Sequence, residues 1–175
     1  MQECRILLVY PNERDMSLVP PVYGLFAALL RKRGHIVELF DCTGYDFEGK
    51  FDAAVESEKA LMVKPADPAS YQGVKVKQNN MYDDFVRKVE AFSPDLIAVS
   101  VTESTFLRGV SLLNDFRFKR KHEILTIMGG VFPTFAPERA FREPSIDIVC
   151  IGEGDVALVE LCERLRDSKD FDNVP

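Results

Sequence analysis

Five short apolar runs, separated by stretches with helical marks, leave this chain few folds to choose from. They are Arg5–Tyr10, His35–Asp41, Asp95–Val101, Ile124–Met128 and Asp147–Ile151. Runs that are apolar without alternation read as strands covered on both faces, as parallel strands are. Between the first two, Pro21–Gly34 opens on proline, ends on basic residues and closes on glycine, which marks a helix at both ends. Further helices are expected over residues 80–92, 105–121, 137–141 and 156–165. Strands alternating with helices, joined by right-handed crossovers, predict a doubly wound (Rossmann/flavodoxin-like) α/β fold. Its five-stranded parallel sheet carries helices on both faces.

The length of 175 residues limits the chain to one domain, and 46% hydrophobic with 29% charged residues is a globular composition. The domain is expected over residues 1–168, with a polar excursion at 42–77 and the start of a linker at 169–175. A net charge of −6, with basic residues clustered only around Arg117, Lys119, Arg120 and Lys121, excludes nucleic acid as a partner. The apolar stretch from Leu18 to Leu30 is too short to span a membrane. Cys4, Cys42, Cys150 and Cys162 show neither zinc nor disulfide spacing, so they read as reduced thiols of a cytoplasmic protein.

In a sheet of this kind the ligand lies outside the carboxyl ends of the strands. That places the candidate site in residues 11–20, 100–105, 129–134 and 152–155. The first of these segments has no glycine, which excludes the glycine fingerprint of dinucleotide folds, and no phosphate-binding P-loop occurs anywhere in the chain. The third strand ends in Ser100 rather than in an acidic phosphoacceptor. What remains is uncharged: hydroxyls at Ser100, Thr102, Ser104 and Thr105, and a Gly129–Gly130 pair that lets a bulky flat group approach the backbone. Gly152, Glu153, Gly154 and Asp155 read equally well as a turn with a helix cap.

Three segments carry a resemblance: Val99–Thr102, Gly129–Thr134 (Gly-Gly-Val-Phe-Pro-Thr) and Asp147–Asp155. They resemble the N-terminal cobalamin-binding domain of cobalamin-dependent radical SAM enzymes. Pro20–Leu25 and Arg33–Val37 are similar to the same family's first helix and second strand. The wider cobalamin-binding fold has a Ser-x-Leu signature, which Ser100 and Thr102 match in part, and a Gly-Gly signature, matched by Gly129 and Gly130. It also has Asp-x-His-x-x-Gly after the first strand. Here Tyr10–Asp15 contains no histidine, so the resemblance implies cobalamin bound base-off/His-off, a state that favours the low cobalt coordination numbers of methyl-transfer cycles.

The resemblance further implies that the dimethylbenzimidazole tail enters alongside the strands. Gly129 and Gly130 would make room for it and Ser100 would hydrogen-bond it. Asn12, Glu13, Thr102, Glu103, Ser104 and Thr105 are the other expected cofactor contacts, with Val131, Phe132, Pro133, Gly152, Glu153 and Gly154. His35 and His122 are not cobalt ligands on this reading, and no residue is assigned to metal or catalysis. The chain lacks the Cys-x-x-x-Cys-x-x-Cys triad that holds a [4Fe-4S] cluster. It is therefore expected to be the cofactor module of a larger methyltransferase or related enzyme. The cluster and S-adenosyl-L-methionine would bind in the downstream domain. The alternatives are a stand-alone corrinoid carrier or sensor, and a flavodoxin-like flavin-binding domain.

Overall fold

The computed structural model describes residues 3–12, 19–45, 60, 77–120, 124–167, 170–171 and 174. Glu13, His122, most of the 42–77 excursion and most of the 169–175 tail lie outside the described residues. The elements are β1 (Arg5–Tyr10), α1 (Pro21–Lys32), β2 (Ile36–Asp41), α2 (Met81–Phe92), β3 (Leu96–Ser100) and α3 (Glu103–Arg120). They continue with β4 (Leu125–Gly129), α4 (Val131–Phe135), α5 (Pro137–Phe141), β5 (Ile148–Val149) and α6 (Gly154–Arg166). All neighbouring strands are parallel, in the order β2-β1-β3-β4-β5. The expected α/β architecture is the one observed, with its topological switch point between β1 and β3.

Side-chain alternation builds two cores. Ile6 and Leu8 of β1 pack with Leu96, Ala98 and Ile127 against Tyr23 and Leu30 of α1 and Leu158 and Leu161 of α6. Leu7 and Val9 face the other way, with Ile97, Val99 and Met128, against Phe85 and Val89 of α2 and Leu113 and Phe116 of α3. Because both faces are buried, the strands carry continuous apolar runs. Helix ends are set locally. Pro21 opens α1, and the Asn80 side chain accepts from the Tyr82 and Asp83 N–H groups at the start of α2. None of the helices among the described residues is long and apolar enough to cross a membrane.

Boundaries depart from expectation at several elements, three of which bear on the site and the sheet. Helix α3 begins at Glu103 rather than at residue 105, and a five-residue helix, α4, occupies what read as the loop after Gly130. Strand β5 is only Ile148–Val149, and Asp147 just before it meets β4 through both its N–H and its side chain. Its carboxylate accepts from the Thr126 N–H and hydroxyl, both at 2.8 Å, and from Arg117 at 2.5 Å. Thr126 is fully buried, and its one hydroxyl proton is shared between Asp147 and the Ser145 carbonyl at 2.7 Å.

This cluster pins the amino end of β4 to the chain entering β5. Burial works against the charge on Asp147, yet the hydrogen bonds from Arg117 and Thr126 hold its carboxyl below the ordinary range. A carboxylate whose pKa is depressed on folding stabilises the fold above its unfolded pKa, and that contribution is lost as pH falls through the folded value. Asp147→Asn should therefore lower stability at pH 7 by about 2 kcal/mol. The deficit should shrink on acidification below about pH 4. Urea unfolding of both chains across a pH series checks this, and a deficit independent of pH would refute it.

Candidate functional site

A cleft of about 120 Å³ opens at the carboxyl edge of the sheet, between α1 and α6. Its floor is Leu8, Ala98 and Ile127, its walls include Val22, Tyr23, Phe26 and Leu158, and Ser100, Gly129, Gly130, Gly152 and Gly154 border it. Apolar cavities of roughly this size, about 150 Å³, accept a benzene ring. The cleft thus suits a flat aromatic group.

Apart from the exposed Glu153, the polar groups of the cleft are neutral. Tyr23 donates its hydroxyl to the Val9 carbonyl at 3.0 Å and the Ser100 carbonyl at 3.3 Å, and burial pushes its ionisation far above the usual tyrosine range. Burial, with the Glu153 charge, raises the Cys150 thiol. The remaining carboxylate of the cleft, Glu153, belongs to an exposed residue.

The glycines have distinct functions. Gly130 has φ +103°, and an added Cβ would lie 2.5 Å from the Val101 carbonyl oxygen and 2.8 Å from its nitrogen. Its bare backbone lets the β4–α4 turn cross the end of β3. The Cβ of a residue replacing Gly129 would lie 3.2 Å from Cys150 Cβ, so this glycine lets β5 come alongside. The same carbon at Gly154 would meet Phe26 at 3.5 Å and Cys150 Sγ at 3.6 Å, ordinary contacts with two cleft residues. Thr134 joins the glycine turns: its hydroxyl donates to the Gly130 carbonyl at 2.8 Å and accepts from Gly152 N–H at 3.0 Å.

Of the expected contacts, the structure gathers Ser100, Gly129, Gly130, Gly152, Glu153 and Gly154 around the cleft. The others have different surroundings. Asn12 is buried, donating to the Thr43 hydroxyl at 3.0 Å and accepting at its carbonyl from buried Arg108 at 2.5 Å. Thr105 accepts from Thr102 N–H at 3.0 Å, and Thr102 Oγ1 lies 3.0 Å from Ser104 Oγ, so these hydroxyls cap α3. Glu103 occupies the first turn of α3, where a negative charge offsets the helix dipole. Phe132 packs on Phe106 with ring centroids 4.4 Å apart, Pro133 is buried and Val131 is exposed.

Sequence reasoning missed the cleft's apolar walls and Cys150. The available signal was the Val22, Tyr23, Phe26 spacing, which puts three large side chains on one side of α1. His35 is buried before β2, at the opposite edge of the sheet, where burial lowers its pKa. At or near the carboxyl edge, Leu25, Val131, Phe135, Ile151 and Val156 are 49%, 61%, 84%, 61% and 62% exposed, an apolar rim unusual for a free surface.

A family model described as the B12 binding domain matches residues 69–162. Among curated proteins, the chain is 24% identical over 176 residues to cytidylyl-2-hydroxyethylphosphonate methyltransferase of Streptomyces wedmorensis, covering 97% of this chain and 30% of that protein. It is 30% identical over 93 residues to anaerobic magnesium-protoporphyrin IX monomethyl ester cyclase of a Synechocystis species, covering 52% of this chain and 19% of that one. The chain thus spans less than a third of these relatives. Among solved structures, the radical S-adenosylmethionine methyltransferase TsrM of Kitasatospora setae superposes with a TM-score of 0.69 at 17% identity, over 98% of this chain and 27% of that one. The TsrM structure with cobalamin and a [4Fe-4S] cluster bound gives 0.67 at 17% identity, over 99% and 26%. At this identity the superposition speaks to the fold.

The glycine geometry separates two substitutions. Gly130→Ala should cost more than about 2 kcal/mol, from a left-handed backbone and a clash with main-chain atoms. Gly154→Ala, in ordinary contact distance of its neighbours, should change stability by less than about 0.5 kcal/mol. Thermal unfolding of the two variants measures both, and equal losses would contradict this assignment of the glycines.

Proposed function

Since the chain belongs to the B12-binding domain family, we propose that it holds cobalamin across the carboxyl edge of its sheet. The cofactor would be base-off/His-off, with its dimethylbenzimidazole tail in the cleft between α1 and α6. The observation that carries this reading is the cleft itself: narrow, neutral, apolar-walled and open at the switch point of a parallel sheet. Leu8, Phe26, Ile127 and Leu158 would bury the faces of the tail ring. Ser100, at the end of β3, would donate a hydrogen bond to its free ring nitrogen. Val131, Ile151 and Val156 would support the corrin on the rim.

The His-off state is supported by the sequence between Pro11 and Pro20, which has no histidine, and by the position of His35 at the opposite edge. When bound, cobalamin supplies a cobalt centre that accepts and donates methyl groups. The chain's own residues bind the tail, exclude water from it and fix the level of the corrin above the sheet.

The relatives are more than three times longer than the aligned chain, and two bear methyltransferase names. Residues 1–168 would then be the cofactor module of a larger cobalamin-dependent radical SAM enzyme. S-adenosyl-L-methionine and the [4Fe-4S] cluster would be held by the catalytic domain, to which residues 169–175 begin the linker. The described cysteines are all free thiols, which supports a reducing, cytoplasmic setting.

Addition of hydroxocobalamin should give a base-off absorption spectrum that stays with the protein through gel filtration. Gly154→Leu, which adds bulk toward Phe26 and Cys150, should weaken binding at least about ten-fold with the circular dichroism unchanged. Cobalamin that elutes apart from the protein would sink the proposal. Unchanged affinity in a folded Gly154→Leu chain would place the tail elsewhere.

A further inference from the structure

Resting on the cobalamin reading above, we infer that the cleft selects among corrinoids by their lower base, accepting a benzimidazole and rejecting a purine. Where a ring would be buried, the walls are hydrocarbon: Leu8 and Ile127 from the sheet, Val22 and Phe26 from α1, Leu158 from α6. Two backbone acceptors lie at the ends of β1 and β3, the carbonyls of Val9 and Ser100. Tyr23 shares its one hydroxyl proton between them, at 3.0 and 3.3 Å. Its single proton is committed there, and the phenol does not ionise. The neutral Cys150 thiol is a weak partner in either direction. Glu153 is exposed, so its carboxylate remains in water.

A benzimidazole lower base presents one free ring nitrogen, and one hydroxyl, that of Ser100, is enough to satisfy it. Its methyl groups suit the hydrocarbon walls. An adenine of similar outline brings an exocyclic amine with two donors and further ring acceptors. Each buried donor left without a partner costs roughly a factor of ten in affinity. The discrimination comes from what the cleft withholds, with the Tyr23 hydroxyl competing for the Ser100 carbonyl, an acceptor on a lining residue that an amine would use.

The test titrates the 175-residue chain with three corrinoids: hydroxocobalamin, adeninylcobamide and cobinamide, which lacks a lower base. Visible absorption and tyrosine fluorescence report binding, the latter undisturbed because the chain has no tryptophan. Cobalamin should bind at least about ten-fold more tightly than adeninylcobamide, and adeninylcobamide no more tightly than cobinamide. Tyr23→Phe, which frees the Val9 and Ser100 carbonyls, should narrow the ratio between the first two. Equal dissociation constants for cobalamin and adeninylcobamide overturn the selection and leave the cofactor reading standing. Failure of all three to bind overturns both. An unchanged ratio in a folded Tyr23→Phe chain overturns the part assigned to Tyr23, and if that variant does not fold, the three-ligand comparison on the parent chain decides.

Discussion

A parallel strand in this sheet has no face to spare for water. With β1, β3 and β4 packed on both sides, the polar backbone of the sheet interior is spent in the ladder and its side chains are spent in the two cores. Binding capacity is pushed to the strand ends. At the carboxyl ends β1 and β3 pass the chain to helices on opposite faces, and on the face that carries α1 and α6 a gap opens between those two helices. The position of the cleft follows from topology, while its chemistry follows from the few residues around it.

Much of this was legible in the residues. The interiors of β1, β3 and β4 were readable because two-sided burial demands unbroken apolar runs, and α1 and α2 because their ends are marked by Pro21 and Asn80. The apolar run overstates β5, since Ile151 has the residue type of a strand but is exposed beyond the strand's end. Helix α4 was hidden by Pro133 within a five-residue span. Ser100 and the Gly129, Gly130, Gly152 and Gly154 positions were nominated from strand ends alone. At Thr102, Ser104 and Thr105 a strand-end hydroxyl also serves the start of the next helix, a role that residue type alone does not separate from ligand contact. The walls of the cleft were not legible at all, because they depend on the rotation of α1 and α6 about their axes.

The glycine pair illustrates how one signature can contain two constraints. Gly130 is set by a backbone conformation and a main-chain contact, which any side chain violates. Gly129 is set by the proximity of Cys150 in the neighbouring strand's exit. Both are requirements of the protein's own architecture before they are accommodations to a cofactor. The residue whose missing side chain bears on the free space is Gly154, in a different turn.

The Tyr23 hydroxyl, held by β1 and β3 together, ties one wall of the cleft to the two strands at the centre of the sheet. Swinging that wall outward breaks this shared hydrogen bond, at a cost of about 1 kcal/mol, so the contact favours the width the gap has here. A ligand entering along that wall therefore meets a surface set by the centre of the sheet rather than by a loop.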